Sequence, residues 1–196
     1  MQAFGHIKID VKKIGADMLS ASSHKFHGPK GCGFLYADKN TGIKPFIYGG
    51  GQERGQRSGT ENVPGILGMV KAAEISHRIM DENNRKLRKI NDYMTDRILN
   101  EIDDCICNGN RENRLSNNIN VSFGNIDGKA LLVLLDMEGV YVSGASACNG
   151  GKEKSYVLSS LGVPEKYADG TIRMTMDYTM NMKQADYVLN LSLIHI

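Results

Sequence analysis

The sequence predicts an α/β chain, and two observations lead there. Short apolar stretches, some with period-two alternation, take turns along the chain with segments whose apolar residues recur at helical spacing. Glycine-rich segments separate several of them, and strands alternating with helices build a layered α/β or α+β architecture.

In chain order, residues 17–21 and 33–37 are predicted strands joined by a loop that carries Lys25. Residues 49–62 form an irregular glycine-rich loop that gives way to Pro64, a favoured first helical residue. From there to about Ile102, Ile66, Val70, Ala73, Leu87, Ile90, Met94, Ile98 and Ile102 keep helical spacing, as one long helix or two in succession. Residues 115–123 alternate as a strand, 128–137 read as a helix, and 140–143 as another strand. A helix over 155–161 stopped by Gly162, a strand over 171–176 and a helix over 181–190 complete the order. The opening residues enter without a helix cap or a leading strand, as a start cut from something longer would. The last six, 191–196, read Leu-Ser-Leu-Ile-His-Ile and resemble a translated transposase adapter, which sets them apart from the fold as a non-native tail.

Composition narrows the function classes. With 196 residues, 41% of them hydrophobic, the chain is long enough for a real core, and it shows no membrane span or signal peptide. Twenty-four basic residues against 22 acidic ones leave a net charge of +2, which gives no reason to expect nucleic acid or an anionic lipid surface as a partner. The irregular spacing of Cys32, Cys105, Cys107 and Cys148 fits a reducing cytoplasm better than a disulfide framework. Cys105 and Cys107 lack further ligands nearby in sequence and read as structural.

Chemistry concentrates in four places. Lys25 sits among hydroxyls, imidazoles and turn-forming glycines in Ser22-Ser23-His24-Lys25, followed by Gly28-Pro29-Lys30-Gly31. An amine forms a Schiff base only when deprotonated, which partial burial or neighbouring positive charge promotes, so Lys25 is the candidate for a covalently held cofactor. His24, Ser22 and Ser23 would bind a phosphate by charge and hydrogen bonds; an isolated pair of this kind is more often an ordinary surface loop. Cys148 lies in a small-residue loop between a predicted strand and helix, where a thiolate can act as nucleophile and Lys152 or Lys154 can lower its pKa. Arg173, flanked by alternating apolar residues, either points inward to an anion, which suits a carboxylate, or lies on a solvated strand face. Arg54, Arg57 and Thr60 in the glycine-rich loop would cradle a phosphate, a weakly specific signal by itself.

The motifs converge on a family. The Lys25 segment, then Gly49-Gly50-Gly51-x-Glu53-Arg54-Gly55-x-Arg57-Ser58-Gly59-Thr60, then Arg114-Leu115-x-Asn117-Asn118-x-Asn120-x-Ser122-Phe123, then Ser146-Ala147-Cys148 resemble the cysteine desulfurases of the class V aminotransferases, in order and separation, from Gln2 to Asn190.

The resemblance implies a fold-type I pyridoxal-phosphate transferase, with residues 1–80 ending its large cofactor domain and 81–190 forming its small C-terminal domain. It implies that Lys25 holds pyridoxal 5'-phosphate, that Gln2 hydrogen-bonds the cofactor's ring hydroxyl, and that Ser22 and His24 bind its phosphate. Thr60 matches the phosphate ligand donated across a homodimer, and Arg173 the clamp on the substrate carboxylate. Cys148 matches the nucleophile that takes sulfur from L-cysteine as a persulfide, delivers it to an iron–sulfur scaffold or other acceptor protein in the cytoplasm, and thereby contacts the nascent cluster. The family's large domain begins before Gln2, and the residue stacking on the cofactor and the aspartate facing its pyridine nitrogen belong to that earlier part. The alternatives are a catalytically inactive fragment, or another class V enzyme such as a selenocysteine lyase or an aminotransferase.

Overall fold

The computed structural model describes residues 2–144 and 155–195, with side chains as far as residue 192. They fall into two compact units, Met1–Asp81 and Glu82–Ile196.

In the first unit, β1 (Met18–Ser22) pairs antiparallel with β2 (Gly33–Ala37), in register from Met18 opposite Ala37 to Ser22 opposite Gly33. A short 3-10 helix, Ser23–Phe26, leads away from the end of β1, and His27 follows it in the left-handed region at φ 67°. The Ser23 N–H donates to the Cys32 carbonyl at 3.0 Å and closes the connection. Phe26 is buried with Ala21 and Met69, and the Phe4 ring packs edge-on against Phe26 and Phe34 at 4.9 and 5.0 Å between centroids.

The long predicted helix is a single one, α1, Val63–Glu101. Asn62 caps it, its Oδ1 accepting from the Gly65 N–H at 3.1 Å, and Pro64 sits in the first turn where its missing N–H costs nothing. Within the second unit, the α1 residues Leu87, Ile90, Met94 and Ile98 form one buried stripe, the helical period seen in the sequence.

The second unit is built on a three-stranded antiparallel sheet in the order β3 (Cys105–Cys107), β4 (Asn118–Phe123), β5 (Thr171–Thr175). Ile119, Val121, Phe123, Ile172 and Met174 line one face and pack on α1, on α2 (Gly128–Met137) and on α5 (Met182–His195). Strand alternation then puts Asn118, Asn120, Ser122, Thr171, Arg173 and Thr175 on the other face. Asp127 caps α2 by accepting from Lys129 and Ala130 N–H. Two short helices, α3 (Tyr156–Ser160) and α4 (Glu165–Ala168), lie between α2 and β5.

Two expectations need correction, and one strand goes beyond them. The apolar run 140–143 is no strand: Gly139 at φ 75° and Val140 donate to the carbonyls of Asp136 and Leu135 and close the end of α2, so only Ser143 is left to bridge to Arg173. Cys105 and Cys107 belong to the edge strand β3, too short for alternation to reveal. The final helix continues past residue 190 to His195, with Leu191 packed against the core and Ser192 buried, its hydroxyl donating to the Val188 carbonyl at 2.9 Å. Residues 191–195 continue α5 as helix. Among the described residues no helix is long and apolar enough to cross a membrane.

Candidate active site

Lys25 stands in the 3-10 helix that follows β1, half-buried, with half-buried Ser22 before it and His24 exposed. The Phe26 side chain, 1% exposed, anchors the turn from below, so Lys25 and His24 are held up from a fixed base. Neither the Lys25 amine nor the His24 ring makes a hydrogen bond or ion pair with any described residue. Beneath them the Ser23 hydroxyl is fully buried and has no hydrogen-bond partner among the described residues. Gly28 makes room for it: a Cβ there would lie 2.0 Å from Ser23 Oγ.

Gln2 sits in the turn that contains His6, and the His6 ring Nε2 lies 3.2 Å from the Lys25 carbonyl oxygen. A carbonyl only accepts, so Nε2 carries the proton. Ser76 of α1 donates to the next carbonyl, that of Phe26, at 3.4 Å. Gln2, Ser22, His24 and Lys25 are thus tied to one small region of the first unit. Sequence reading missed the parts of His6 and Ser76, because a lone histidine in a turn and a serine on a helix carry no pattern.

The glycine-rich loop is pinned by its own side chains. Gln52 Oε1 accepts from the Gly59 N–H at 3.2 Å, Ser58 donates to the Gly50 carbonyl at 2.9 Å, and Arg57 donates to the Ser58 carbonyl at 2.7 Å. Glu53 and Arg54 both adopt left-handed backbone at φ 50° and 58°, a conformation that costs energy outside glycine and concentrates at functional loops. Arg57 is therefore engaged with its own backbone, while Arg54 and Thr60 are exposed and bonded to no described residue.

In the second unit Arg173 lies on the polar face of β5, opposite Asn120 in β4. It is half-buried, and its guanidinium has no carboxylate among the described residues. A partly desolvated guanidinium in that position favours an anion from outside the unit. Of the two placements left open by the sequence, Arg173 takes the strand face away from the core, where it is only half-buried.

A cleft of about 620 Å³ opens beside Arg173, with Asn108, Asn120, Gly144, Ser155 and Thr171 in its lining. Its floor is a directed hydrogen-bond chain. Asn120 donates to the Ile172 carbonyl, Asn108 Nδ2 donates to Asn120 Oδ1 at 2.8 Å and to Ser122 Oγ at 2.7 Å, and Ser122 and Thr171 hydroxyls meet at 2.6 Å. Asn118 and Asn120 of the third motif therefore line the cleft next to Arg173, a role the sequence did not disclose.

Cys148, Lys152 and Lys154 lie outside the described residues. Of the other cysteines, Cys105 has its thiol pushed up in pKa, first by burial and then by Asp103 and Asp104, which disfavours the reactive thiolate. Among the described residues no group of side chains has the makings of a metal site.

Residues 1–188 match the family described as aminotransferase class-V. The chain is 45% identical over 190 residues to "Cysteine desulfurase IscS" of Methanosarcina thermophila, covering 96% of this chain and 47% of that protein. It is 46% identical over 191 residues to the protein of the same name from Dictyoglomus turgidum, covering 97% and 48%. The chain thus spans about half the length of the curated relatives it matches. Among solved structures, a NifS-like protein superposes with a TM-score of 0.89 at 36% identity over 99% of this chain and 50% of that one. A NifS-like protein from Rickettsia africae gives 0.88 at 30% identity over 100% and 52%. The fold-type I α/β architecture is therefore shared with these structures, and by sequence and fold this chain belongs to the class-V aminotransferase family.

Proposed function

We propose that the chain carries the lysine, carboxylate-binding and nucleophile positions of a pyridoxal-phosphate-dependent cysteine desulfurase, which converts L-cysteine to L-alanine and leaves the sulfur as a persulfide on Cys148. The observation that carries the reading is the Lys25 turn: a half-buried amine without a described partner, next to a buried phenylalanine and directly after Ser22, Ser23 and His24. The similarity to proteins named cysteine desulfurase supports it.

The residues present fit the cofactor. A hydroxyl at Ser22 and an imidazole at His24 match the needs of a phosphate dianion, and the buried Ser23 hydroxyl beside Gly28 is a further polar group in the same turn. When bound, the cofactor supplies an electron sink for negative charge developing on the substrate. Lys25 would hold it covalently and move protons at Nζ once released. Gln2 would hydrogen-bond its ring hydroxyl, and Thr60 would bind the phosphate from the partner subunit of a homodimer. Arg173 would orient the substrate through its carboxylate, a fork-on-fork contact. Cys148 Sγ would take the sulfur, so that cysteine plus thiol gives alanine plus persulfide with atoms balanced.

Residues 1–80 would then end the large domain and 81–190 form the small one, a division that the two compact units support. An acceptor protein, an iron–sulfur scaffold or another sulfur acceptor, would receive the persulfide sulfur in the cytoplasm, and the nascent cluster would be cargo at Cys148.

The test is alanine and sulfide release from L-cysteine by the chain with pyridoxal phosphate, beside Lys25→Ala and Cys148→Ser. Release lost in both variants is expected. Release unaffected by Lys25→Ala overturns the reading, and no release from any of them leaves the inactive fragment.

A further inference from the structure

The end of the Lys25 helix is held by two side chains distant in sequence, His6 on the Lys25 carbonyl and Ser76 on that of Phe26, and neither lies in the motifs. The short helix Ser23–Phe26 ends with exposed carbonyl groups, as every helix does, and something must satisfy them. The Lys25 carbonyl receives the His6 Nε2–H at 3.2 Å, and the Phe26 carbonyl receives the Ser76 hydroxyl at 3.4 Å.

The His6 contact is part of a docked surface. His6 N–H and Ile7 N–H both donate to the Ala3 carbonyl, at 3.0 and 3.1 Å, so residues 3–7 form a closed turn. Gly5 in that turn, at φ 82°, lies so close to Phe26 that a Cβ on it would come within 2.6 Å of the phenylalanine Cβ. Phe4 packs edge-on against Phe26 and Phe34. The turn therefore sits on the Lys25 helix by apolar contact, and His6 adds a directional bond that helps fix which way it faces.

We propose that His6 is a positioning residue: its Nε2–H holds the Lys25 peptide in register with the turn that presents Gln2, and so sets where the Lys25 amine stands. The proposal rests on the reading of Lys25 as the cofactor lysine. Two consequences follow. Loss of the donor loosens the helix, whose closing bonds are the His27 and Gly28 N–H groups donating to the Ser23 carbonyl. A loosened helix then spreads the amine over several positions, which lowers its capture by an aldehyde without removing the amine.

The experiment compares His6→Gln, which keeps an N–H donor, with His6→Leu, which is of similar size and keeps none, in the full chain. Amide hydrogen exchange of the peptide covering His27 and Gly28 reads the clasp. Trapping of pyridoxal phosphate on Lys25 by borohydride, with peptide mapping, reads the amine. In His6→Leu, exchange at His27 and Gly28 rises about five- to tenfold, as one net hydrogen bond allows. Lys25 labelling falls several-fold relative to the other lysines, and His6→Gln stays close to the unsubstituted chain in both. Equal exchange and labelling in the two variants overturns the proposal, as does a rise in both. If the unsubstituted chain takes no label on Lys25, the reading of that lysine fails, and the exchange comparison alone still decides whether His6 holds its peptide.

Discussion

Ser143 and Arg173 exchange both backbone hydrogen bonds across an isolated antiparallel bridge, Ser143 N–H to Arg173 oxygen at 3.0 Å and Arg173 N–H to Ser143 oxygen at 2.6 Å. The bridge fixes the proposed carboxylate clamp beside Gly144, at the point where the chain enters the segment that contains Cys148 in sequence. The Arg173 backbone is thus paired with Ser143 on one side and faces Asn120 of β4 on the other.

Replacing Arg173 by alanine should therefore raise KM for L-cysteine about ten- to a hundredfold, the range expected for one charge-assisted hydrogen-bonded contact. Lysine should restore only part of this, because it offers a point charge where the carboxylate meets a planar fork. Steady-state kinetics check both, and a KM unchanged in Arg173→Ala would remove the arginine from the substrate site.

The Ser23–Gly28 contact makes a coupled pair. Gly28→Ala puts a Cβ 2.0 Å from Ser23 Oγ and should destabilise the Lys25 turn. Ser23→Ala deletes a buried hydroxyl that has no hydrogen-bond partner among the described residues, and should be neutral or mildly stabilising. In the double variant the obstructing oxygen is gone, so Gly28→Ala should cost less there than alone. Urea unfolding of the four proteins measures the coupling, and strict additivity would show that the clash does not govern Gly28.

Much of this was legible beforehand, for physical reasons that differ by element. The α1 stripe and the alternation of β4 and β5 follow from burial of one face, which writes a period into the sequence. Lys25 and Arg173 stood out from their own surroundings, hydroxyls and imidazoles around the lysine and alternating apolar residues around the arginine, while the specific roles of these two and of Thr60 came from the resemblance to a family. What stayed hidden rests on contacts between residues far apart in sequence. His6 reaches Lys25, Asn108 reaches Asn120 and Ser122, and Val140 is taken by the end of α2 instead of a ladder. None of these leaves a local period.

Core packing of the second unit makes a plain stability prediction. Phe123 is fully buried among Ile172, Leu131 and the α1 stripe. Phe123→Ala should cost about 3–5 kcal/mol by lost burial and a residual cavity. Denaturant unfolding checks it, and a loss below about 1 kcal/mol would mean that the site collapses around the gap.

Acid stability should depend on Asp104. Lys166 Nζ at 2.8 Å, and then the Tyr167 hydroxyl at 2.7 Å, hold its carboxyl below the ordinary value of 3.8. A depressed carboxylate stabilises the fold above its unfolded pKa, and that contribution is lost as pH falls through the folded one, so the effect is confined to pH below about 4. Asp104→Asn should flatten the pH dependence in that window and leave it unchanged near neutrality. Because the groups are exposed, salt should weaken the effect. An unaltered acid limb in the variant would show that the pair contributes nothing.

The central claim is that Lys25 is the cofactor lysine, and the most direct measurement is the absorbance spectrum of the chain mixed with pyridoxal phosphate, beside Lys25→Ala. A Schiff-base band in the unsubstituted chain that disappears in Lys25→Ala is the predicted result. A band that survives the substitution, or no band at all in the unsubstituted chain, would contradict the assignment.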